Sequence, residues 1–221
     1  PILFNEIKEI IVQKILLVFG TRPEAIKMAP LIKTLEKDSD LEPVVVVTAQ
    51  HREMLDSVLN TFNISADYDL NIMKAGQTLS EVTSEAMKKL EDIIQKEVPD
   101  MVLVHGDTVT TFSGALAAFY SQTPIGHVEA GLRSYNKYSP YPEEINRQMV
   151  GVMADLHFAP TYNAAQNLVK EGKLAKHIAI TGNTAIDAMK YTIDYQYSSS
   201  IIQKHKNKNF ILKIKDSYNE I

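Results

Sequence analysis

The sequence predicts an α/β fold, a doubly wound parallel sheet, on three observations. Short apolar, β-branched runs recur along the chain, stretches of helical hydrophobic period separate them, and most runs end in Gly, Thr, Asn or Asp where the next helix begins. Taken in order, KILLVFG (14–20) is the first strand candidate and ends in GTRP, where Thr21 suits an N-cap and Pro23 the first turn of a helix over 23–37. EPVVVVTAQ (42–50) is the second and leads into a helix over 51–61. YDLNIM (68–73) precedes a helix over 78–96, and DMVLVHGD (100–107) precedes one over 108–121. TPIGHVEA (123–130) is followed by a connection containing Pro140 and Pro142, so the next helix is placed at 143–154. LHFAPT (156–161) with a helix over 161–171, then HIAITGN (177–183) with one over 184–191, complete the alternation. Residues 1–191 thus read as one Rossmann-like domain, and the Ser-, Lys- and Asn-rich stretch 192–221 as a linker or remnant.

Composition narrows the function. The chain has 221 residues, 45% hydrophobic, with a formal net charge of -4 and no cysteine. That excludes disulfides and thiolate chemistry and fits a reducing cytoplasm. No basic stripe interleaved with aromatics precedes the tail KHKNKNFILKIK, so no nucleic-acid partner is expected. Glu6, Lys8, Glu9 and Lys14 interrupt the apolar N-terminal stretch, which argues against a signal peptide, and no run is long enough to suggest a membrane span. There is no GxGxxG after the first strand, no P-loop and no metal-ligand spacing, so no cofactor and no metal are expected.

Right-handed crossovers bring the carboxyl ends of parallel strands to one edge, where such sheets bind ligands. The ends here aim Arg22, His51, Asp107 and Glu129 at one crevice. Most of these residues have an ordinary reading when taken singly. Asp107 or Thr108 can cap the following helix, Lys27 can be a solvated helix charge, and His51 can cover a helix start. His105 and His127 sit in apolar strands as core residues. Glu143 and Glu144 complement a helix dipole, with an i,i+4 contact from Glu143 to Arg147. Glu129 resists such a reading: Ala130, Gly131 and Leu132 follow it, so it caps nothing, and its small, apolar neighbours leave it partly desolvated.

FGTRPEAIKMAPLI, TAQHREML, HGDTVTTFSGALAAF, HVEAGLRSYNKYSPYPEEINRQM and ITGNTAIDAM together resemble the non-hydrolysing UDP-N-acetylglucosamine 2-epimerase family, in its order and spacing, from Lys14 to Tyr191. The resemblance implies the first Rossmann-like domain of a two-domain, glycosyltransferase-B type enzyme. It implies cytoplasmic interconversion of UDP-GlcNAc and UDP-ManNAc for cell-envelope polysaccharides, by elimination and re-addition of UDP through 2-acetamidoglucal, in a homodimer. It also implies Asp107, Glu129 and Glu143 as catalytic acids, Arg22, Lys27 and Arg147 as substrate-binding cations, and Gln50 and His51 near an activating second UDP-GlcNAc site. In the family a UDP-gripping second domain follows GNTAIDAM. Here YQYSSSIIQKHKNKNFILKIKDSYNEI follows instead, so that domain is expected to be absent. Two other readings stand beside this one: a truncated, non-catalytic fragment that binds or pairs weakly, and a glycosyltransferase of the same architecture.

Overall fold

The structure is a computed structural model that describes residues 12–49, 52–74 and 76–192. Its centre is a seven-stranded sheet in the order β3-β2-β1-β4-β5-β6-β7, every neighbouring pair parallel. The strands are β1 Gln13–Phe19, β2 Leu41–Val47, β3 Tyr68–Asp69, β4 Met101–His105, β5 Ile125–Val128, β6 Leu156–Ala159 and β7 Ile178–Ile180. The helices are α1 Arg22–Leu35, α2 Arg52–Thr61, α3 Leu79–Glu97, α4 Val109–Tyr120, α5 Glu143–Met153, α6 Tyr162–Lys170 and α7 Thr184–Thr192. Each expected strand and helix is present, most trimmed by a few residues at the ends.

The largest difference is the third strand, expected over 68–73 and found over two residues. It lies at the sheet edge and pairs only with Val46 and Val47 of β2. Asn71 then takes φ +42 and ends the regular register, although the Ile72 amide still reaches the Thr48 carbonyl at 3.3 Å and Ile72 is fully buried. Burial of Ile72 produced the apolar signal, and the turn decided the geometry.

Strand alternation sends side chains to two separate cores. Leu17, Phe19, Val45 and Val47 pack against α1, α2 and α7, while Leu16, Val18, Val44 and Val46 pack against α3 and α4. Both faces of β1 and β2 are covered, which is why their sequences run apolar without interruption. Each such side chain contributes about 1.5–3 kcal/mol of burial free energy. A smaller cluster of Ala130, Ala159, Ala164, Ala165 and Leu168 seats α6.

Thr21, Thr78 and Thr108 close capping boxes at the starts of α1, α3 and α4, and Thr161 caps α6. These caps fix where strands hand over to helices. The sheet order reverses direction between β1 and β4, the switch point at which a crevice opens outside the carboxyl ends of doubly wound sheets. Gly20 follows β1 and Gly106 follows β4 at that point.

Candidate active site

The crevice is built from three strand-to-helix connections, after β1, β4 and β5. After β1, the amides of Gly20 and Thr21 donate to Oε2 of Glu24 at 2.9 and 2.7 Å. The hydroxyls of Thr108 and Thr111 lie 2.7 and 3.2 Å from its other oxygen. Glu24 is buried, and burial raises its pKa against the opposing hydrogen bonds from Gly20, Thr108 and Thr21. It joins the start of α1 to the start of α4. Its sequence signal was the Thr-x-x-Glu spacing of a capping box, which marks the helix start but not the link to Thr108.

α1 then presents Lys27, whose ammonium forms an ion pair with the carboxylate of Glu129. Lys27 is therefore not the solvated charge its helix position suggested. Glu129 is the first residue after β5 and adopts φ +62, a conformation that non-glycine residues rarely take. The ladder fixes it from both sides: the Gly106 amide donates to the Val128 carbonyl at 2.8 Å, and the Ala130 amide to the Phe158 carbonyl at 3.0 Å. Oε2 of Glu129 also lies 3.8 Å from Nε2 of His105, the buried last residue of β4.

Asp107 follows Gly106, which turns the chain at φ +70. The cap of α4 is Thr108, leaving the Asp107 side chain for another partner. That partner is Arg147, with Nη2 2.9 Å from Oδ2. Burial raises the Asp107 pKa, Arg147 opposes the rise, and the neighbouring charges of Glu143, Glu129 and Glu24 add to it. The expected side-chain contact between Glu143 and Arg147 is replaced by this pair. Arg147 reaches Glu143 only at its backbone carbonyl, 3.4 Å from Nε, because Asp107 holds the end of the guanidinium.

Glu144, beside Glu143 in the first turn of α5, points inward and is fully buried. It accepts from the amides of Ser134 and Tyr135, each at 3.0 Å, and from Gln148 at 2.7 Å. Burial pushes its pKa up, but these donors outweigh that effect and hold it below the usual carboxylate value. Arg133 braces the same connection, with Nε and Nη2 each 2.7 Å from Glu171 on either carboxylate oxygen and Nη1 donating to the Leu132 carbonyl. The adjacent glutamates thus divide: Glu144 anchors the loop, and Glu143 stands near Asp107.

Arg22 is on the same sheet edge, at the start of α1, and its side chain lines a groove with Glu53 and Met54 of α2 and Met189 of α7. Gln50 and His51 lie outside the described residues, and so does the expected activating site. Among the described residues no group of His, Asp or Glu has the geometry of a metal site, and no helix is long and apolar enough to cross a membrane.

A parallel sheet with acid–cation pairs at its switch point defines a Rossmann-like domain of the glycosyltransferase-B type, the fold shared by the epimerase and glycosyltransferase structures that the chain resembles. The family model described as UDP-N-acetylglucosamine 2-epimerase matches residues 33–214, and the chain belongs to that family. A UDP-N-acetylglucosamine 2-epimerase of Bacillus subtilis (strain 168) is 58% identical over 199 residues, 90% of this chain and 52% of that protein. The structure of S. aureus MnaA with UDP is 68% identical with a TM-score of 0.82, over 89% of this chain and 52% of the other. The UDP-GlcNAc 2-epimerase of Neisseria meningitidis bound to UDP-GlcNAc is 48% identical with a TM-score of 0.80, over 95% of this chain and 54% of the other. The chain spans about half the length of the curated relatives it matches.

Proposed function

We propose that residues 1–191 form the acid-bearing domain of a cytoplasmic, homodimeric, non-hydrolysing UDP-GlcNAc 2-epimerase, with 192–221 as a linker, acting in cell-envelope polysaccharide synthesis. The observation that carries this reading is the double pairing at the switch point, Lys27 with Glu129 and Arg147 with Asp107.

The reaction needs such pairs. The sugar C2 proton is not next to a carbonyl, so a carboxylate removes it only once the bond from C1 to the UDP oxygen is breaking. The electron pair of that bond leaves with UDP, C1 becomes oxocarbenium-like, and C2–H turns acidic. Loss of the proton to a carboxylate gives 2-acetamidoglucal with a C1–C2 double bond. Re-addition of UDP at C1, with a proton delivered to C2 from the opposite face, completes the inversion. Asp107, Glu129 and Glu143 supply the acid–base groups and stabilise the developing cation, while Arg22, Lys27 and Arg147 receive the departing diphosphate. The pairings with Arg147 and Lys27 support Asp107 and Glu129 as acid–base groups of the crevice. Gln50 and His51 are assigned to an activating UDP-GlcNAc site.

The chain spans about half the length of its curated relatives, and a second reading is a chain that binds or pairs without turnover. The test joins this chain to the remaining half of the S. aureus protein and follows the anomeric protons of UDP-GlcNAc by NMR. Appearance of UDP-ManNAc is expected. Free ManNAc with UDP would replace the reading by hydrolysis, sugar transfer to an added acceptor by a glycosyltransferase, and an unchanged spectrum by the non-catalytic fragment.

A further inference from the structure

His105 and His127 lie on neighbouring strands and face the two acid-bearing turns in a crossed arrangement. His127 belongs to β5, the strand that leads to Glu129, yet its Nε2 is 2.7 Å from the carbonyl of Gly106, the residue before Asp107. His105 belongs to β4, the strand that leads to Asp107, yet its Nε2 faces Oε2 of Glu129. Both rings are buried, and neither ring nitrogen of His105 has a hydrogen-bond partner. A buried imidazole with two unpartnered nitrogens is costly unless a partner reaches it in some state of the site.

We infer that His105 and His127 are a reciprocal pair of positioning residues, in which His127 holds the Asp107 turn and His105 is a neutral N–H donor that receives the Glu129 carboxylate when Lys27 releases it. The inference rests on the acid assignment made above. Its geometric basis is the 3.8 Å separation, which exceeds the ~3.2 Å reach of an N–H···O bond, so the inference requires the Glu129 carboxylate to turn from Lys27 toward His105.

The chemistry explains why the second holder is uncharged. Lys27 is placed to follow a departing diphosphate, which leaves Glu129 without its cation at the moment it must hold a proton taken from C2 or one to be returned. A second cation would bind the carboxylate more strongly and oppose protonation, whereas a neutral N–H fixes its direction with a weaker bias. Burial lowers the His105 pKa to about 3, with Lys27 acting in the same direction, so the ring stays neutral at physiological pH. His127 is likewise held at about 3, burial again the main cause, and a neutral ring beside the Gly106 carbonyl must carry its proton on Nε2.

Long-range 1H–15N spectra of the labelled chain test this directly. Expected are Nε2–H tautomers at both His105 and His127, a His105 Nε2 signal that moves on Glu129→Gln while His157 does not, and a downfield shift of the His105 ring proton on Lys27→Met. A His105 proton on Nδ1, or a signal unmoved by either substitution, would overturn the inference. Should one variant fail to fold, the other decides. In the two-domain chimera His105→Asn should lower kcat roughly tenfold, the order of one hydrogen bond, with KM little changed; an equal effect on both constants would indicate a purely structural role. The spectra need no substrate, so they decide the positioning geometry even if the turnover assay rejects the acid assignment.

Discussion

Glu129 is held at φ +62 by ladder hydrogen bonds on both sides and is engaged by Lys27 from α1, so its carboxylate reaches the crevice in a defined direction. Strain of this kind persists only where the surroundings over-determine it. In the two-domain chimera, Glu129→Gln should slow epimerisation by roughly a hundredfold or more while leaving UDP binding nearly unchanged, because acid–base groups act on the reacting proton and not on the nucleotide. Steady-state rates and UDP titration calorimetry check it, and wild-type turnover would reduce the residue to a structural part. Asp107 gives a second expectation. Burial raises its pKa and Arg147 restrains the rise, so Arg147→Met should move it further up. Carboxylate 13C titration of the isolated chain reads this, and an unchanged or lower value would show that the pair is not formed in solution.

At the scale of elements, the turns are what the site depends on. Glu24 ties the start of α1 to the cap of α4, and burial raises its pKa against the hydrogen bonds it accepts. Stability from this group is therefore full below the unfolded value of 4.5 and is lost as pH rises through the folded value. Glu24→Gln removes that titration and keeps an oxygen for the Gly20 and Thr21 amides. Denaturant unfolding at pH 5 and pH 8 should show the wild type losing stability relative to Glu24→Gln as pH rises; a parallel pair of curves would contradict the raised pKa. The loop between β5 and α5 depends on Gly131, which has φ +87 and sits where any Cβ would strike the Ala164 carbonyl. Gly131→Ala should cost about 2–3 kcal/mol or more from overpacking and backbone strain together. A change below about 0.5 kcal/mol, the range of ordinary surface substitutions, would show that the loop yields.

The whole molecule has both faces of its sheet covered by helices, with separate cores on the two sides. A layered sheet of this size buries enough apolar surface to stand alone. The isolated chain should unfold in one cooperative thermal transition yet turn over UDP-GlcNAc negligibly, because positioning the sugar draws on binding energy from the remote nucleotide. Full epimerase activity across a range of protein concentrations would sink this expectation. The buried histidines add a pH limit. Burial lowers His105 and His127 to about 3 and His157 to about 4, from an ordinary 6.5. Their contribution is complete above the unfolded value and is lost as pH falls toward the folded ones. Stability should fall between pH 7 and pH 5, and fall less in His157→Gln; an equal fall in both would assign the effect to other groups.

The order of elements, the parallel sheet and the helix starts were legible in the sequence because they follow from local chemistry: β-branched runs, helical period, and a threonine where each capped helix begins. The grouping of Asp107 and Glu129 near one edge was legible too, since parallel strands oblige their carboxyl ends to meet. Partners were not. That Lys27 meets Glu129, that Arg147 turns from Glu143 to Asp107, and that Glu144 folds inward while its neighbour stays near Asp107 depend on distances across elements far apart in the chain. Periodicity constrains one helix or strand at a time, whereas an ion pair needs two of them in register. Likewise His105 and His127 read from sequence as core residues, and burial bears that out, but only the register of β4 with β5 places each ring against the other strand's acid-bearing turn.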